Sequence, residues 1–199
     1  EINKVAVVTP FSLVAAVILS HDRRGISHNE LLDNVNEFYE YLCMKKVKFA
    51  ETFANREKAI NHALNIFVQQ GFISKIEAEE DEAEEMHEVV YSLKEERRLN
   101  LEYYKNNFLH FFIPLCFIAT SVIKSNDDVI SLKRVLGEFK FLKTLLWNEF
   151  IFDENRDDAD EVEEALAYLQ DRKMITTLEK DGEIFMEVKG KGTKKLKPF

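Results

Sequence analysis

The chain has 199 residues, 46% apolar and 32% charged, which excludes a disordered or collagen-like polypeptide and, with 16 Phe, supplies ample material for a core. A net charge of −9 argues against a protein whose main task is gripping nucleic acid, because phosphate binding needs a basic face. Cys43 and Cys116 are isolated, so a disulfide framework is not expected, a reducing compartment is the simple reading, and each reads as a small buried apolar residue rather than a nucleophile.

In chain order, Pro10 suits the first turn of a helix running to about Ser20, followed by a turn over His21–Ile26 with Gly25 as breaker. Ser27 with Glu30 fits a capping box. The helix it opens carries a stripe of Leu31, Leu32, Val35, Phe38, Tyr39 and Leu42. A third helix begins near Asn55, places Ala59, Ile60, Ala63, Leu64, Phe67 and Val68 on one side, and stops at Gln70-Gly71. Strands are expected at Phe72–Ile76 and Val89–Leu93, with the acidic run Glu77–Glu88 as a solvated loop between them.

The second half follows the same order. Leu101–Lys124 reads as one long helix, with a kink at Pro114 and a stripe of Tyr104, Phe108, Phe111, Leu115, Ile118 and Val122. Ile130-Ser131 opens a helix bearing Val135, Phe139, Leu142, Leu145 and Leu146, with Trp147 at its end. Asp157–Arg172 is a further helix, acidic early and basic at its exit. Met174–Leu178 and Ile184–Val188 read as a hairpin turning at Asp181-Gly182. Ala63-Leu64 with Phe72-Ile73 lies at the same offset as Ala165-Leu166 with Met174-Ile175. The expected fold is therefore mainly α with small β-hairpins, built from tandem winged-helix-like repeats over residues 1–98 and 99–199.

Two apolar stretches, Val5–Leu19 and Phe111–Ile123, are too short or too interrupted to span a bilayer and are expected to be core helices. The chain opens on Glu1 rather than Met and stops at Lys197-Pro198-Phe199 without a closing element, so a fragment of a longer polypeptide is expected.

Candidate chemistry is sparse. His28 and Asp33 form a His-x-x-x-x-Asp string, the acyltransferase signature in which His is the general base and Asp orients it. Five residues along a helix turn a side chain by about 140°, so on the helix expected here the two do not meet, and coincidence is the better reading. Tyr103, Asn106, Asn107 and His110 recur every three or four residues and read as a polar seam between packed parts, with a ligand pocket as the alternative. Asn61, His62, Asn65, Gln69 and Gln70 could serve a DNA-reading helix, but the corresponding Asp157–Glu164 stretch would repel phosphate, and no nucleic-acid partner is expected. Lys189, Lys191, Lys194, Lys195 and Lys197 make a basic tail, read as a solvated turn that could touch anionic lipid. No metal site, phosphate loop or cofactor motif stands out.

Three stretches are similar to one enzyme family, in its order. Leu101–His110 resembles the Tyr-x-Asn-x-x-x-His segment in the C-terminal region of glycerol-3-phosphate acyltransferases of the bacterial membrane-associated type, with Tyr104, Asn106 and His110 on the pattern. Ile2–Lys4 with Val8–Ala15 resembles the segment after the catalytic domain, and Leu145–Phe150 resembles a stretch near the end. The resemblance implies an enzyme that moves an acyl group from acyl-CoA or acyl carrier protein to the 1-hydroxyl of glycerol 3-phosphate, giving lysophosphatidate at the cytoplasmic face of a membrane. The family's catalytic motifs lie upstream of this region, so the resemblance implies a non-catalytic C-terminal part. Its partners would be the upstream catalytic domain and, through the parent enzyme, the membrane surface. A free-standing tandem winged-helix adaptor is the alternative.

Overall fold

The computed structural model describes residues 6–21, 23–77, 89–125, 129–150, 152 and 155–188. Ile2–Lys4, most of the acidic run and the lysine-rich tail lie outside the described residues. The fold is mainly α with small antiparallel sheets, as expected. It packs as two compact units, Glu1–Leu109 and His110–Phe199.

In the first unit, α1 (Pro10–Ser20) starts on a full capping box. The Thr9 hydroxyl accepts from the Ser12 amide, and the Thr9 amide donates back to Ser12 Oγ at 3.0 Å. Pro10 follows at the first helical position, where its missing N–H is no loss. α1 is buried from Pro10 through Ile18 except for Phe11, because α2 (His28–Met44), α3 (Arg56–Gln69) and α4 (Arg98–Lys105) all pack on it. An all-round apolar helix of 11 residues is thus a core helix. α2 contributes Leu31, Val35, Phe38, Tyr41 and Leu42, and α3 contributes Ile60, Ala63, Leu64 and Phe67, all from the expected stripes except Tyr41. Ser27 caps α2 by accepting from the Glu30 amide at 3.3 Å.

Four short strands escape a periodicity reading. β1 (Val7–Val8) pairs in parallel with β3 (Lys48–Phe49), and β2 (Ile26–Ser27) joins the edge of the hairpin β4 (Ile73–Glu77) and β5 (Val89–Leu93). β6 (Val129–Ser131) does the same for β7 (Ile175–Lys180) and β8 (Glu183–Val188). Two or three residues are too few to show a period of two. The sheets have the same order, β2-β5-β4 and β6-β8-β7.

The second unit runs α5 (Ile113–Ser125), β6, α6 (Leu132–Leu145), α7 (Asp158–Asp171), β7 and β8, matching α1, β2, α2, α3, β4 and β5. The match reaches single hydrogen bonds. After α3, the Gly71 amide donates to Val68 O at 3.0 Å and Phe72 to Phe67 O at 2.9 Å. After α7, Lys173 donates to Gln170 O at 2.8 Å and Met174 to Leu169 O at 2.9 Å. Both are Schellman stops, and both need a left-handed residue, Gly71 at φ 68° and Lys173 at φ 56°. At the other end of the β7–β8 hairpin, Asp181 (φ 54°) and Gly182 (φ 76°) form the expected two-residue turn, with Lys180 opposite Glu183.

Three expectations are corrected. Leu101–Lys124 is not one helix: α4 ends at Lys105, a turn and a 3-10 segment over Leu109–Phe111 follow, and α5 begins at Ile113. Pro114 lies in the first turn of α5, where proline is favoured, so it marks a helix start rather than a kink. On α6 the buried residues are Val135, Phe139 and Lys143, at steps of four, while Leu145 is 63% exposed, because two residues past Lys143 a side chain points to the far face. Cys43 is exposed, with its thiol hydrogen-bonded to Tyr39, and Cys116 is half-buried.

Candidate functional site

The residues expected to form a polar seam do not share one helix face. Tyr104 lies on α4, and its ring packs at 6.0 Å from Phe11 and 5.3 Å from Phe67 in the first unit's core. Tyr103, whose ring meets Tyr104 edge-on at 6.0 Å, is 75% exposed. Asn106 is the C-cap of α4, its amide donating to Glu102 O at 3.1 Å, and Asn106 and Asn107 are both exposed in the turn. The two asparagines therefore end a helix, a place where exposed short polar side chains are favourable, rather than entering a core. His110 opens the second unit, with its ring 4.0 Å from Phe111. Its Nε2 is buried and has no hydrogen-bond partner among the described residues, and burial holds the imidazole below its usual 6.5.

His28 and Asp33 do not come together as a catalytic pair. His28 is the first residue of α2 and lies beside Tyr91, with Nδ1 3.5 Å from the phenol oxygen. Asp33 is exposed one turn further along. Burial pushes the Tyr91 phenol up, so it is a neutral hydroxyl at ordinary pH.

Two arrangements escape the sequence reading. The first is a buried ion cluster in the second unit. Lys143, only 7% exposed, places Nζ 2.6 Å from Asp158 Oδ1 and 3.2 Å from Glu161 Oε2. The ammonium also lies 5.8 Å and 5.6 Å from the ring centroids of Phe139 and Phe152. Burial lowers its pKa, but the hydrogen bonds and charges of Asp158 and Glu161 outweigh that, and the net value is raised above 10.5. Lys143 continues the buried Val135–Phe139 stripe at steps of four, but lysine is almost never buried unless paired, and the pairing partners lie on another helix.

The second is a cavity of ≈ 740 Å³ in the first unit, where the α1–β2 loop meets the end of β5 and the start of α4. Its wall includes Arg23, Arg24 and Arg98, with Ile18, Leu19 and Leu93 as an apolar side. The loop is fixed by its own backbone: His21 Nε2 donates to Gly25 O at 3.1 Å, and Ser92 Oγ donates to Arg24 O at 2.7 Å. Gly25 must be small here, since a Cβ would come within 2.7 Å of Val90 Cγ1. Sequence reading reduces this stretch to a turn, although two adjacent arginines beside a glycine were the available signal.

Residues 1–195 match the family described as the C-terminal region of glycerol-3-phosphate acyltransferase. The chain belongs to that family. Among relatives, it is 26% identical over 182 residues to a glycerol-3-phosphate acyltransferase of Actinobacillus pleuropneumoniae serotype 5b, covering 88% of this chain and 20% of that protein. To the enzyme of the same name from Pasteurella multocida it is 25% identical over 163 residues, covering 79% of this chain and 19% of the relative. The chain thus spans about a fifth of the length of these acyltransferases. Among the described residues, no helix is long and apolar enough to cross a membrane.

Proposed function

We propose that the chain is the non-catalytic C-terminal domain of a glycerol-3-phosphate 1-O-acyltransferase and that it stabilises or seats the catalytic domain. The observation that carries this is the family match over 195 residues to a region making up only about a fifth of the relatives. The parent reaction would join an acyl group from acyl-CoA or acyl carrier protein to glycerol 3-phosphate and give lysophosphatidate for phospholipid synthesis. The parent would work peripherally at the cytoplasmic face of the membrane. The separation of His28 from Asp33 supports a region without acid–base chemistry of its own. The shared element order and sheet order of the two units support the reading of tandem winged-helix-like repeats, a fold used for holding partners as well as for nucleic acid.

The test is acyl transfer to glycerol 3-phosphate by the chain alone and by the full-length acyltransferase that contains it, with and without this region. The expected result is no lysophosphatidate from the chain alone, and a lower melting temperature of the enzyme when the region is removed. Acyl transfer by the chain alone would overturn the non-catalytic reading. An enzyme that keeps both its melting temperature and its activity after the removal would overturn the seating role.

A further inference from the structure

The cavity between the α1–β2 loop, β5 and α4 gathers charged side chains that a seating role does not need. Arg23 and Arg24 are exposed, line it, and make no hydrogen bond or ion pair through their guanidinium groups among the described residues. Arg98 also lines it, with Glu95 at 3.7 Å and Glu102 at 3.6 Å from its guanidinium. Among the described residues of the wall, Glu95 is the acidic one, and it lies 3.7 Å from Arg98. Three arginines on one cavity wall favour an anion there, and their planar forks match the oxygens of a phosphate.

We propose that this cavity is an anion site that takes the phosphate group of an amphiphilic organic phosphate. The cavity volume of ≈ 740 Å³ lies within the usual range for small-molecule sites and far exceeds a bare phosphate. Ile18, Leu19 and Leu93 also line the cavity and offer apolar surface for the carbon part of the ligand. The carbonyls of Arg24 and Gly25 are already held by Ser92 and His21, so the ordering that opposes binding falls on the arginine side chains. One chemistry has two sources here, a dissolved phosphate ester or a phosphate headgroup at a bilayer surface. The inference stands apart from the acyltransferase reading, because it is measured as binding to the chain itself.

The experiment follows backbone amide resonances of the isotope-labelled chain during titration with inorganic phosphate, with monomeric short-chain phosphatidate, and with phosphatidylcholine vesicles containing or lacking phosphatidate. Amides of Arg23, Arg24, Gly25, Ser92 and Arg98 should shift or broaden, with phosphatidate binding more tightly than inorganic phosphate and all binding weakened by salt. The double variant Arg23→Ala/Arg24→Ala should bind about tenfold more weakly or worse, with its melting temperature unchanged, because both side chains are exposed. Arg23→Lys/Arg24→Lys should fall between, keeping charge but losing the fork. Response to the monomer identifies a dissolved ester, and response to phosphatidate vesicles alone identifies a headgroup. Amides that stay fixed in every arm, or a double-alanine variant that binds like the parent, would overturn the proposal.

Discussion

Lys143→Met tests the buried ion cluster of the second unit. The methionine keeps the length and most of the packing against Phe139 and Phe152, so the change removes charge more than volume. It leaves Glu161, 7% exposed, and Asp158, a quarter exposed, without their cation. Removing one partner of a fully buried pair costs about 3–5 kcal/mol. Solvent reaches Asp158, which lowers the expected cost here to about 2–4 kcal/mol. At about 1–2 kcal/mol per molar urea, the unfolding midpoint should fall by roughly 1–4 M. Neutralising the partners as well, in Lys143→Met/Asp158→Asn/Glu161→Gln, should restore at least half the loss, since no carboxylate is then left unpaired. The sign with pH follows from the raised lysine pKa. The cluster contributes fully below the ordinary 10.5 and is lost only as pH climbs through the higher folded value. Urea melts at neutral pH of the parent and both variants decide the matter. A single variant within about 0.5 kcal/mol of the parent would mean that the cluster behaves as a surface pair and that burial adds nothing to its strength.

Lys173→Gly should stabilise the second unit by about 1 kcal/mol, because Lys173 occupies at φ 56° the left-handed position that Gly71 fills in the first unit; thermal melts read it, and Gly71→Ala should cost a similar amount. Gly25→Ala should destabilise the first unit by about 1–3 kcal/mol and disturb the arginine loop, since its Cβ would press on the branched Val90 side chain; urea melts with amide spectra check both effects. Thr9→Ala should cost about 1 kcal/mol in the same melts by removing the α1 cap. Burial lowers the His110 pKa, so the unfolded chain takes up the proton first, and stability should fall as pH drops below 6.5. In His110→Phe that acid slope should flatten, and an unchanged slope would assign it to other groups.

The sequence by itself determined the longer helices and both hairpins. Stripes such as Leu31, Val35, Phe38 and Leu42 bury one side of a helix whatever it packs on, and Thr9-Pro10, Ser27 and Asp181-Gly182 act through bonds to their own neighbours. It also carried the family, because Tyr104, Asn106, His110 and their flanking stretches keep an order that composition alone does not reveal. The break between α4 and α5 was half legible: Pro114 announced a boundary, but an apolar pattern running from Tyr104 to Val122 also suits one unbroken helix. Only the tertiary structure decided what depends on residues far apart in the chain. Edge strands β2 and β6 exist because a hairpin is there to pair with them. Lys143 is buried because α7 brings Asp158 and Glu161 to it, and Arg98 lines one cavity with Arg23 and Arg24 because α4 packs on α1. Charge pairing and cavity walls are set by position in space, and no local pattern in the chain records them.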